Sequence, residues 1–288
     1  MIPGFVFAQS FVIANQRAWF HLALGFIATC LVASANYVIN EYLDRDFDRF
    51  HPTKKNRPSV FGKVNPNWVA FEYTLLLFVG IGIGTIIGTS FAITLAGLAV
   101  MGVIYNVKPI RSKDVVYLDV LSESINNPLR LLLGWFVVFP YGIPPSSLLL
   151  SYWMAGAFLM GLKRFAEIRG ITDKKAAALY RRSFGRYTED SLLISAFFYA
   201  LCAAFFGAVF LVKYRMELVV LVPFVAVVFA WYLKIALKPN SAAQKTERLY
   251  REQRFIIYVG FVFILLIFLM KFDFPSVAFL SERNPIRF

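Results

Sequence analysis

The sequence predicts an all-helical membrane protein with about nine transmembrane helices. Hydrophobic residues make up 59% of its 288 residues and charged residues only 16%, whereas about a quarter of a soluble domain is charged. Apolar runs of about 20 residues, enough to cross a bilayer, recur from end to end. A β-barrel would need alternating polar and apolar residues, which residues 192–212 lack. Backbone groups in lipid must be paired within the segment, so these spans are expected to be helices.

The helices are predicted from the apolar runs between polar breaks. The predicted segments are 3–15, 18–40, 68–88, 90–105, 117–139, 147–166, 191–212, 217–237 and 255–272. The first of them is too short to cross a bilayer comfortably. The polar segments between helices are short, and no Gly/Ser-rich or Pro-rich linker divides the chain. We therefore expect one polytopic membrane domain over residues 1–288, without a soluble domain.

The basic residues are concentrated in alternate loops. Four loops hold 22 of the 30 Lys and Arg residues, namely 41–67, 106–118, 163–190 and 238–254. Basic loops face the cytoplasm, so these four are expected to form cytoplasmic caps, with the C-terminus and its Arg283 and Arg287 on the other side. The net charge of +13 therefore indicates anionic lipid heads and phosphorylated substrates rather than nucleic acid.

An acidic stretch, NEYLDRDFD, ends the second predicted helix. Its Asn40, Asp44 and Asp48 recur at four-residue intervals, which places them on one stripe of a helix, with Glu41 beside it. Such oxygen ligands suit Mg²⁺, which takes one or two carboxylates and a phosphate and keeps several waters. The alternative is a charged helix end paired with neighbouring arginines. Because ionisable groups at a membrane boundary are often functional, we favour a catalytic metal site at Asn40, Asp44 and Asp48.

Basic side chains follow this stripe. Lys54 and Arg57 lie on a turn bounded by Pro52 and Pro58, which restrict the backbone so that the turn can fold back over a phosphate. Further cations lie in the later basic loops. The candidates for phosphate contact are Lys54, Arg57, Lys108, Arg111, Lys113, Lys163 and Arg164.

Two segments leave alternatives open. Asp119 and Arg130 are eleven residues apart and near one helical face, so either they pair with each other or Arg130 contacts a phosphate. Residues 169–190 combine helix-forming residues with a basic face, which is typical both of a cap over the site and of an amphipathic helix on a membrane surface. Tyr187, near the end of this loop, is a further candidate for substrate contact.

The motif N40-E-x-x-D44-x-x-x-D48 followed by R57-P58 resembles the first aspartate-rich motif and the following Arg-Pro of the UbiA superfamily of intramembrane prenyltransferases. Glu41 departs from that motif, which has Asp there. The resemblance implies a bundle of nine helices and Mg²⁺ bound to the diphosphate of a substrate. In most members a second motif, DxxxD, holds further Mg²⁺ after the sixth helix.

At the place of the second motif this chain reads G161-L-K-R-F-A-E-I-R169. If Glu167 is aligned with the motif, Lys163 replaces the first Asp and Arg164 follows it. One acid and two cations match a second metal poorly and an anionic substrate group well, although the three residues also have the spacing of ordinary helix ion pairs. This run, the segment S183-F-G-R-Y-T188 and the turn 51–58 resemble the decaprenyl-phosphate phosphoribosyltransferase branch of the superfamily.

That resemblance implies Mg²⁺-dependent transfer of 5-phosphoribose from 5-phosphoribosyl 1-diphosphate to a polyprenyl phosphate in a bacterial cytoplasmic membrane. Mg²⁺ on Asn40, Asp44 and Asp48 would stabilise the leaving diphosphate, and the lipid phosphate is already an anion, so no general base is expected. The predicted substrate-binding residues are Glu41, Lys54, Arg57, Lys108, Lys113, Arg130, Lys163, Arg164, Glu167 and Tyr187.

Other functions fit the sequence less well. A prenyltransferase that moves a polyprenyl chain from its diphosphate to an aromatic or other acceptor is the nearest alternative, and it predicts a second acidic motif after the sixth helix. A transporter predicts charges at mid-membrane depth and inverted repeats, whereas these charges gather at one end of the helices. A membrane scaffold would not need an oxygen-rich stripe.

Overall fold

The computed structural model describes residues 1–9, 16–62, 64–171, 173–244 and 246–271, and within these ranges it is helical, with no β-strand. The α-helices are α1 (Ile2–Gln9), α2 (Gln16–Asp48), α3 (Pro58–Phe61), α4 (Pro66–Ile87), α5 (Thr89–Asn106), α6 (Leu118–Ser124), α7 (Asn126–Val138), α8 (Ser146–Arg169), α9 (Lys174–Tyr180), α10 (Glu189–Tyr214), α11 (Val222–Leu237) and α12 (Gln253–Lys271). Short 3-10 turns connect several of them, including Lys54–Asn56, Ser112–Asp114 and Arg182–Gly185. The predicted all-helical class is confirmed.

The predicted number of nine spanning helices is not confirmed. Within the part of the chain that the structure describes, six helical segments are long and apolar enough to cross a membrane: Arg17–Asp48, Pro66–Ile87, Thr89–Asn106, Glu189–Tyr214, Met216–Leu237 and Gln253–Lys271. The predicted span 117–139 is divided at Ile125 into α6 and α7. Residues 10–15 of the first predicted segment lie outside the described residues, and so do Arg283 and Arg287.

Helix α2 extends well beyond the predicted end at residue 40. It has 33 residues, which at 1.5 Å per residue gives a length of about 50 Å, while the hydrocarbon core of a bilayer is about 30 Å thick. The last turns of α2 therefore project beyond the apolar layer. Since the helix continues to Asp48, the prediction that Asn40, Asp44 and Asp48 share one helical stripe is confirmed.

Glycines allow close packing in the first half of the chain. A Cβ atom on Gly134 of α7 would lie 1.9 Å from the carbonyl oxygen of Met1, and one on Gly4 of α1 would lie 1.9 Å from that of Leu131. The backbones of α1 and α7 therefore touch, which is the way small residues join helices in membranes. Trp135, Phe91 and Leu131 are buried in the apolar cluster around this contact.

A second apolar cluster joins α8, α10 and α11 around buried Leu162, Phe165, Leu192 and Ile235. It lies beneath the segment 169–190, in which Tyr180, Phe184 and Tyr187 are also buried. This segment packs its aromatic side chains against the bundle. Such packing supports the interpretation of residues 169–190 as a cap and argues against a helix lying on the membrane surface.

The helices place the basic loops at one end of the bundle. Helices α2, α5 and α8 end there, and α6 and α10 begin there. Lys113, in the loop after α5, pairs with Asp44 of α2, Arg164 of α8 pairs with Glu123 of α6, and Arg169 at the end of α8 pairs with Glu189 at the start of α10. We call this the basic end. It brings the segments that follow α2, α5 and α8 into contact, although they are far apart in the sequence.

Candidate active site

The first group of charged residues at the basic end is the acid stripe, Asn40, Asp44 and Asp48 of α2. Arg111 Nη2 and Lys113 Nζ both donate to Asp44 Oδ1, at 2.9 and 2.5 Å. The two cations reach α2 because Arg111 has a positive φ of 32°, a left-handed conformation that turns the chain back sharply after α5. The acid on the middle of the stripe is therefore paired with two cations of the loop 107–117.

Asn106, the last residue of α5, fixes this arrangement. Its Oδ1 accepts from Lys113 Nζ at 2.7 Å and from Asn40 Nδ2 at 2.5 Å. Its own Nδ2 donates to the carbonyl oxygen of Gly102 at 2.8 Å. Because its carbonyl joins Lys113 to Asn40, Asn106 holds the loop cation and the stripe in one network.

The end of the stripe is covered by the turn that follows α2. Arg57 Nη1 donates to Asp48 Oδ2 at 2.8 Å, and Asp48 is almost fully buried whereas the side chain of Arg57 is 37% exposed. Ser59 Oγ donates to Glu41 Oε1 at 2.8 Å. These two bonds fasten the short helix α3 to α2, with Pro58 in its first turn, where proline is well tolerated. The predicted folding of Arg57 over the stripe is present.

The second group, which we call the arginine cluster, consists of Asp119 and Glu123 of α6, Arg164 and Glu167 of α8, and Arg181. Arg164 lies at its centre and is 3% exposed. Its Nη1 donates to Glu167 Oε2 at 3.0 Å, its Nε lies 3.4 Å from Asp119 Oδ2, and its Nη2 forms a short bond with Glu123 Oε2. One guanidinium thus contacts three carboxylates, and this pairing offsets the cost of burying its charge.

Glu167 connects this cluster to the turn after α2. Its Oε1 accepts from Tyr180 Oη at 3.0 Å and lies 3.6 Å from both His51 Nε2 and Lys54 Nζ. His51 Nδ1 accepts the backbone N–H groups of Thr53 and Lys54, each at 3.2 Å, so the ring presents its Nε2 to the carboxylate. Lys54 also contacts the hydroxyl of Tyr180. The cap segment and the turn after α2 therefore meet at Glu167.

Tyr105, one residue before Asn106, lies between the two groups. Its hydroxyl donates to Glu123 Oε2 at 2.6 Å and accepts from Arg164 Nη2 at 3.0 Å and, in a short bond, from Arg181 Nη2. The ammonium of Lys113 lies 5.7 Å from the centroid of the same ring. Lys113 and the phenol ring of Tyr105 consequently connect the acid stripe to the arginine cluster.

Tyr187 and Ser183 of the cap complete the environment of Asp119. Tyr187 Oη donates to Asp119 Oδ1 at 2.6 Å and accepts the backbone N–H of Tyr117 at 2.6 Å. Arg181 Nε lies 3.7 Å from Asp119 Oδ2 and also donates to the carbonyl oxygen of Lys113 at 3.2 Å. Asp119 is therefore fully enclosed, and the cap is attached to both α6 and the loop after α5.

Burial weakens the protonation of two lysines in these loops. It lowers the pKa of Lys113 to about 8, although the neighbouring Asp44 opposes the shift. It also lowers the pKa of Lys54, against the attraction of Glu167 and Asp48. A buried cation whose positive charge is only partly compensated by neighbouring acids is stabilised by a further anion. The site is thus suited to an anionic ligand that lies near both ammonium groups.

The structure brings most of the predicted site residues together and leaves two apart. Lys108 and Arg130 are exposed, and neither forms an ion pair with another described residue. The Asp119–Arg130 pair, one of the two alternatives, is not formed, because the break between α6 and α7 separates the residues and Asp119 pairs with Arg164 and Arg181. The residues brought together are Asn40, Glu41, Asp44, Asp48, Lys54, Arg57, Lys113, Lys163, Arg164, Glu167 and Tyr187.

The sequence did not single out several members of the clusters. Glu123, Tyr180 and Arg181 were missed, and Tyr105 and Asn106 had no assigned role. The one local signal was the spacing D119-x-x-x-E123, which places two acids on one face of α6. The other contacts join residues far apart in the chain.

A divalent ion fits this donor set only together with a ligand. No three His, Cys, Asp or Glu side chains converge as a metal cage within the residues that the structure describes. Mg²⁺ does not require such a cage, because one or two carboxylates, waters and a phosphate suffice. Asp44 and Asp48, with the amide of Asn40, provide these oxygens, and the cations paired with both acids would need to turn toward the ligand.

Comparison with known proteins agrees with the motif and the fold. The model of the UbiA prenyltransferase family matches residues 1–259. A decaprenyl-phosphate phosphoribosyltransferase of Corynebacterium glutamicum is 32% identical over 186 residues, which is 62% of this chain and 53% of that protein. Nodulation protein NoeC of Azorhizobium caulinodans is 34% identical over 165 residues, 57% of this chain and 52% of that one. The chain therefore spans about half the length of these curated relatives.

The fold has a solved counterpart. The structure of a UbiA homolog from Archaeoglobus fulgidus bound to GPP and Mg²⁺ superposes with a TM-score of 0.69 over 91% of this chain and 94% of that one, at 18% sequence identity. With its spanning helices, its acid stripe and a family match over residues 1–259, this chain is an integral membrane protein that belongs to the UbiA prenyltransferase family.

Proposed function

We propose that this protein transfers 5-phosphoribose from 5-phosphoribosyl 1-diphosphate to a polyprenyl phosphate and releases diphosphate. The observation that carries the proposal is the composition of the second cluster and its surroundings. There the three carboxylates of Asp119, Glu123 and Glu167 face four cations, which are Lys54, Lys163, Arg164 and Arg181. A site with surplus positive charge suits a donor that carries a phosphate in addition to its diphosphate. The likeness to a decaprenyl-phosphate phosphoribosyltransferase supports the same reaction.

The acid stripe is the proposed site of the donor's diphosphate. Asn40, Asp44 and Asp48 would hold Mg²⁺, which supplies Lewis-acid stabilisation of the leaving diphosphate when bound. Lys113, already at Asp44, would donate to a phosphate oxygen. Arg57 is partly exposed beside Asp48 and offers a forked set of donors for a second oxygen.

The remaining cations are proposed to hold the other phosphate groups. The side chains of Lys54 and Lys163 are 28% and 26% exposed, so each is accessible from solvent while its neighbours are buried. Arg164 and Glu167 are enclosed and are proposed to position these lysines. Contacts of substrate with Glu41, Lys108, Arg130 and Tyr187 remain predictions.

The chain's residues need to bind and orient rather than to transfer protons. A polyprenyl phosphate is already an anion at neutral pH, so attack on the anomeric carbon requires no strong general base. Holding two anions at reacting distance is the main task, and positioning of this kind supplies up to about 7–11 kcal/mol in favourable cases. In-line attack inverts the anomeric carbon. By the distribution of basic loops, we place the basic end on the cytoplasmic side of a bacterial membrane.

The test is a transfer assay with the purified protein in detergent or lipid nanodiscs. Phosphoribosyl diphosphate labelled in the ribose is incubated with Mg²⁺ and a short polyprenyl phosphate, and the label extracted into butanol is measured. We expect labelled lipid that is lost with EDTA and in the variants Asp44→Asn and Asp48→Asn. Asp46→Asn is the matched control, since Asp46 lies off the stripe and pairs with Arg49 at the surface.

The same assay distinguishes prenyl transfer. That alternative draws support from the solved homolog, which is bound to GPP and Mg²⁺, and from the carboxylates of Asp119 and Glu123 on one face of α6. It predicts that geranyl diphosphate, and not phosphoribosyl diphosphate, labels an acceptor. Such a result would overturn the proposed donor.

A further inference from the structure

Among the acids of the arginine cluster, Glu123 differs in its exposure. Asp119 is fully buried and the side chain of Glu167 is 6% exposed, whereas that of Glu123 is 24% exposed. Asp119 and Glu167 are also surrounded by donors of the cap and of the turn after α2. A ligand that enters the cluster therefore meets the carboxylate of Glu123 without rearrangement of the other two acids.

The two oxygens of Glu123 have different surroundings. Oε2 accepts from Tyr105 Oη at 2.6 Å and from Arg164 Nη2, so the carboxylate is held in a fixed orientation. Oε1 has Lys163 Nζ at 3.8 Å, which is beyond hydrogen-bond distance, and no described residue donates a hydrogen bond to it. One oxygen is anchored and the other remains available as an acceptor.

Its position relates Glu123 to the proposed diphosphate site. Lys113 pairs with Asp44 and lies above the ring of Tyr105, whose hydroxyl reaches Glu123. Lys113 and the phenol ring of Tyr105 thus link the acid stripe to Glu123. A donor with its diphosphate on the stripe can therefore extend its sugar toward the side of the site on which Glu123 lies.

The chemistry of an ionised carboxylate restricts what it recognises. It accepts hydrogen bonds and donates none, and it repels the phosphates that the surrounding cations attract. The cations around Glu123 disfavour a metal ion there, so an accessible acid in this site suits a ligand with hydrogen-bond donors. A prenyl diphosphate has no hydroxyl group, whereas a ribosyl donor presents two on adjacent carbons, and carboxylates recognise ribose hydroxyls in other folds.

We infer that Glu123, through Oε1, accepts a hydrogen bond from a ribose hydroxyl and selects a sugar donor over a prenyl donor. The inference rests on the proposed function and deepens it, since it names the side chain that recognises the sugar. Tyr105 and Arg164 act as positioning residues, because they hold Glu123 through its other oxygen. The lone signal in the sequence is the acid spacing on α6.

The test compares three stable sugar phosphates as inhibitors of the transfer reaction. They are ribose 5-phosphate, 2-deoxyribose 5-phosphate and 3-deoxyribose 5-phosphate. In the wild type we expect the loss of one of the two hydroxyls to weaken inhibition about 10- to 100-fold, the range for a hydrogen bond to a charged group. In Glu123→Gln and Glu123→Asp this preference should fall to less than about threefold. The Asp variant keeps the charge that balances Arg164 and retracts the acceptor by one methylene group.

A structural role would give a different pattern. If Glu123 serves only to balance Arg164, Glu123→Asp keeps the wild-type preference, and that result overturns the inference. A wild type that does not distinguish the three sugar phosphates overturns it as well. Should Glu123→Gln not fold, Glu123→Asp still decides. Glu252→Gln is the matched control, as Glu252 pairs with Lys238 elsewhere at the surface. Absence of any transfer from phosphoribosyl diphosphate by the wild type refutes the proposed function instead.

Discussion

Replacing Arg164 with methionine should strongly destabilise the protein. Methionine keeps an unbranched apolar side chain but removes the guanidinium that lies against Glu167, Asp119 and Glu123. Asp119 would keep Arg181 and Tyr187, and Glu167 would keep Lys54 and Tyr180. Glu123 would keep Tyr105, with Lys163 3.8 Å away. Breaking a buried ion pair by removing one partner costs about 3–5 kcal/mol, and we expect Arg164→Met to fall in that range.

The assay is reversible unfolding in mixed micelles, in which added SDS unfolds the protein and tryptophan fluorescence reports the folded fraction. Arg169→Met is the matched control, because Arg169 belongs to the same helix and its ion pair with Glu189 lies at the surface, at 3.4 Å. An exposed pair contributes about 1 kcal/mol or less. The double variant Arg164→Met/Glu123→Gln should recover part of the loss, since it removes one of the uncompensated charges.

Two results would refute this reasoning. A cost for Arg164→Met below about 1 kcal/mol would mean that the three carboxylates do not depend on this guanidinium. Strictly additive effects in the double variant would mean that Arg164 and Glu123 are not coupled, although in the structure they are in direct contact.

Two further predictions concern the turn after α2 and the packing of α1. Lys54→Met should lower the rate of phosphoribosyl transfer by about tenfold or more, as expected for the loss of a charge-assisted hydrogen bond. Lys55→Met, at an exposed neighbouring position, should leave the rate within about twofold of the wild type. Equal effects of the two variants in the transfer assay would contradict the role assigned to Lys54. Gly134→Ala should destabilise the protein by about 1–3 kcal/mol, because its Cβ would lie 1.9 Å from a backbone oxygen of Met1. Gly260→Ala is the control in the same unfolding measurement, because open space surrounds the new Cβ. If Gly134→Ala is as stable as that control, α1 does not pack closely on α7.

The features that the sequence predicts well are those set by local spacing. The four-residue interval of Asn40, Asp44 and Asp48 has a geometric meaning only on a helix, and α2 continues through all three. The return of Arg57 to Asp48 was also predictable, since Arg57 comes only nine residues after Asp48 and proline restricts the turn between them. Both features depend on residues that are close together in the sequence.

The arginine cluster could not be predicted in this way. Arg164 meets Glu123 across 41 residues and Tyr105 across 59, and Arg181 meets Tyr105 across 76. Such pairs depend on where α5, α6, α8 and the cap end in space, which no spacing along the chain reports. The number of spanning helices is not confirmed, for a related reason. Hydropathy gives one apolar segment over 117–139, whereas the backbone is broken at Ile125 and α6 is thereby directed into the polar cluster.

The charge balance of the arginine cluster bears on how many ions the site holds. Each of its acids already faces a cation of the chain, and when the adjoining Lys54 and Lys163 are counted with Arg164 and Arg181, four cations face three acids. A second Mg²⁺ would add two positive charges to a group that is already positive. A phosphate of the ligand, by contrast, neutralises the surplus and takes up the exposed lysines. The ion pairs of this cluster therefore favour a single metal ion, bound on the acid stripe. They also favour a second anionic group of the substrate at the position where other members of the family have their second acidic motif.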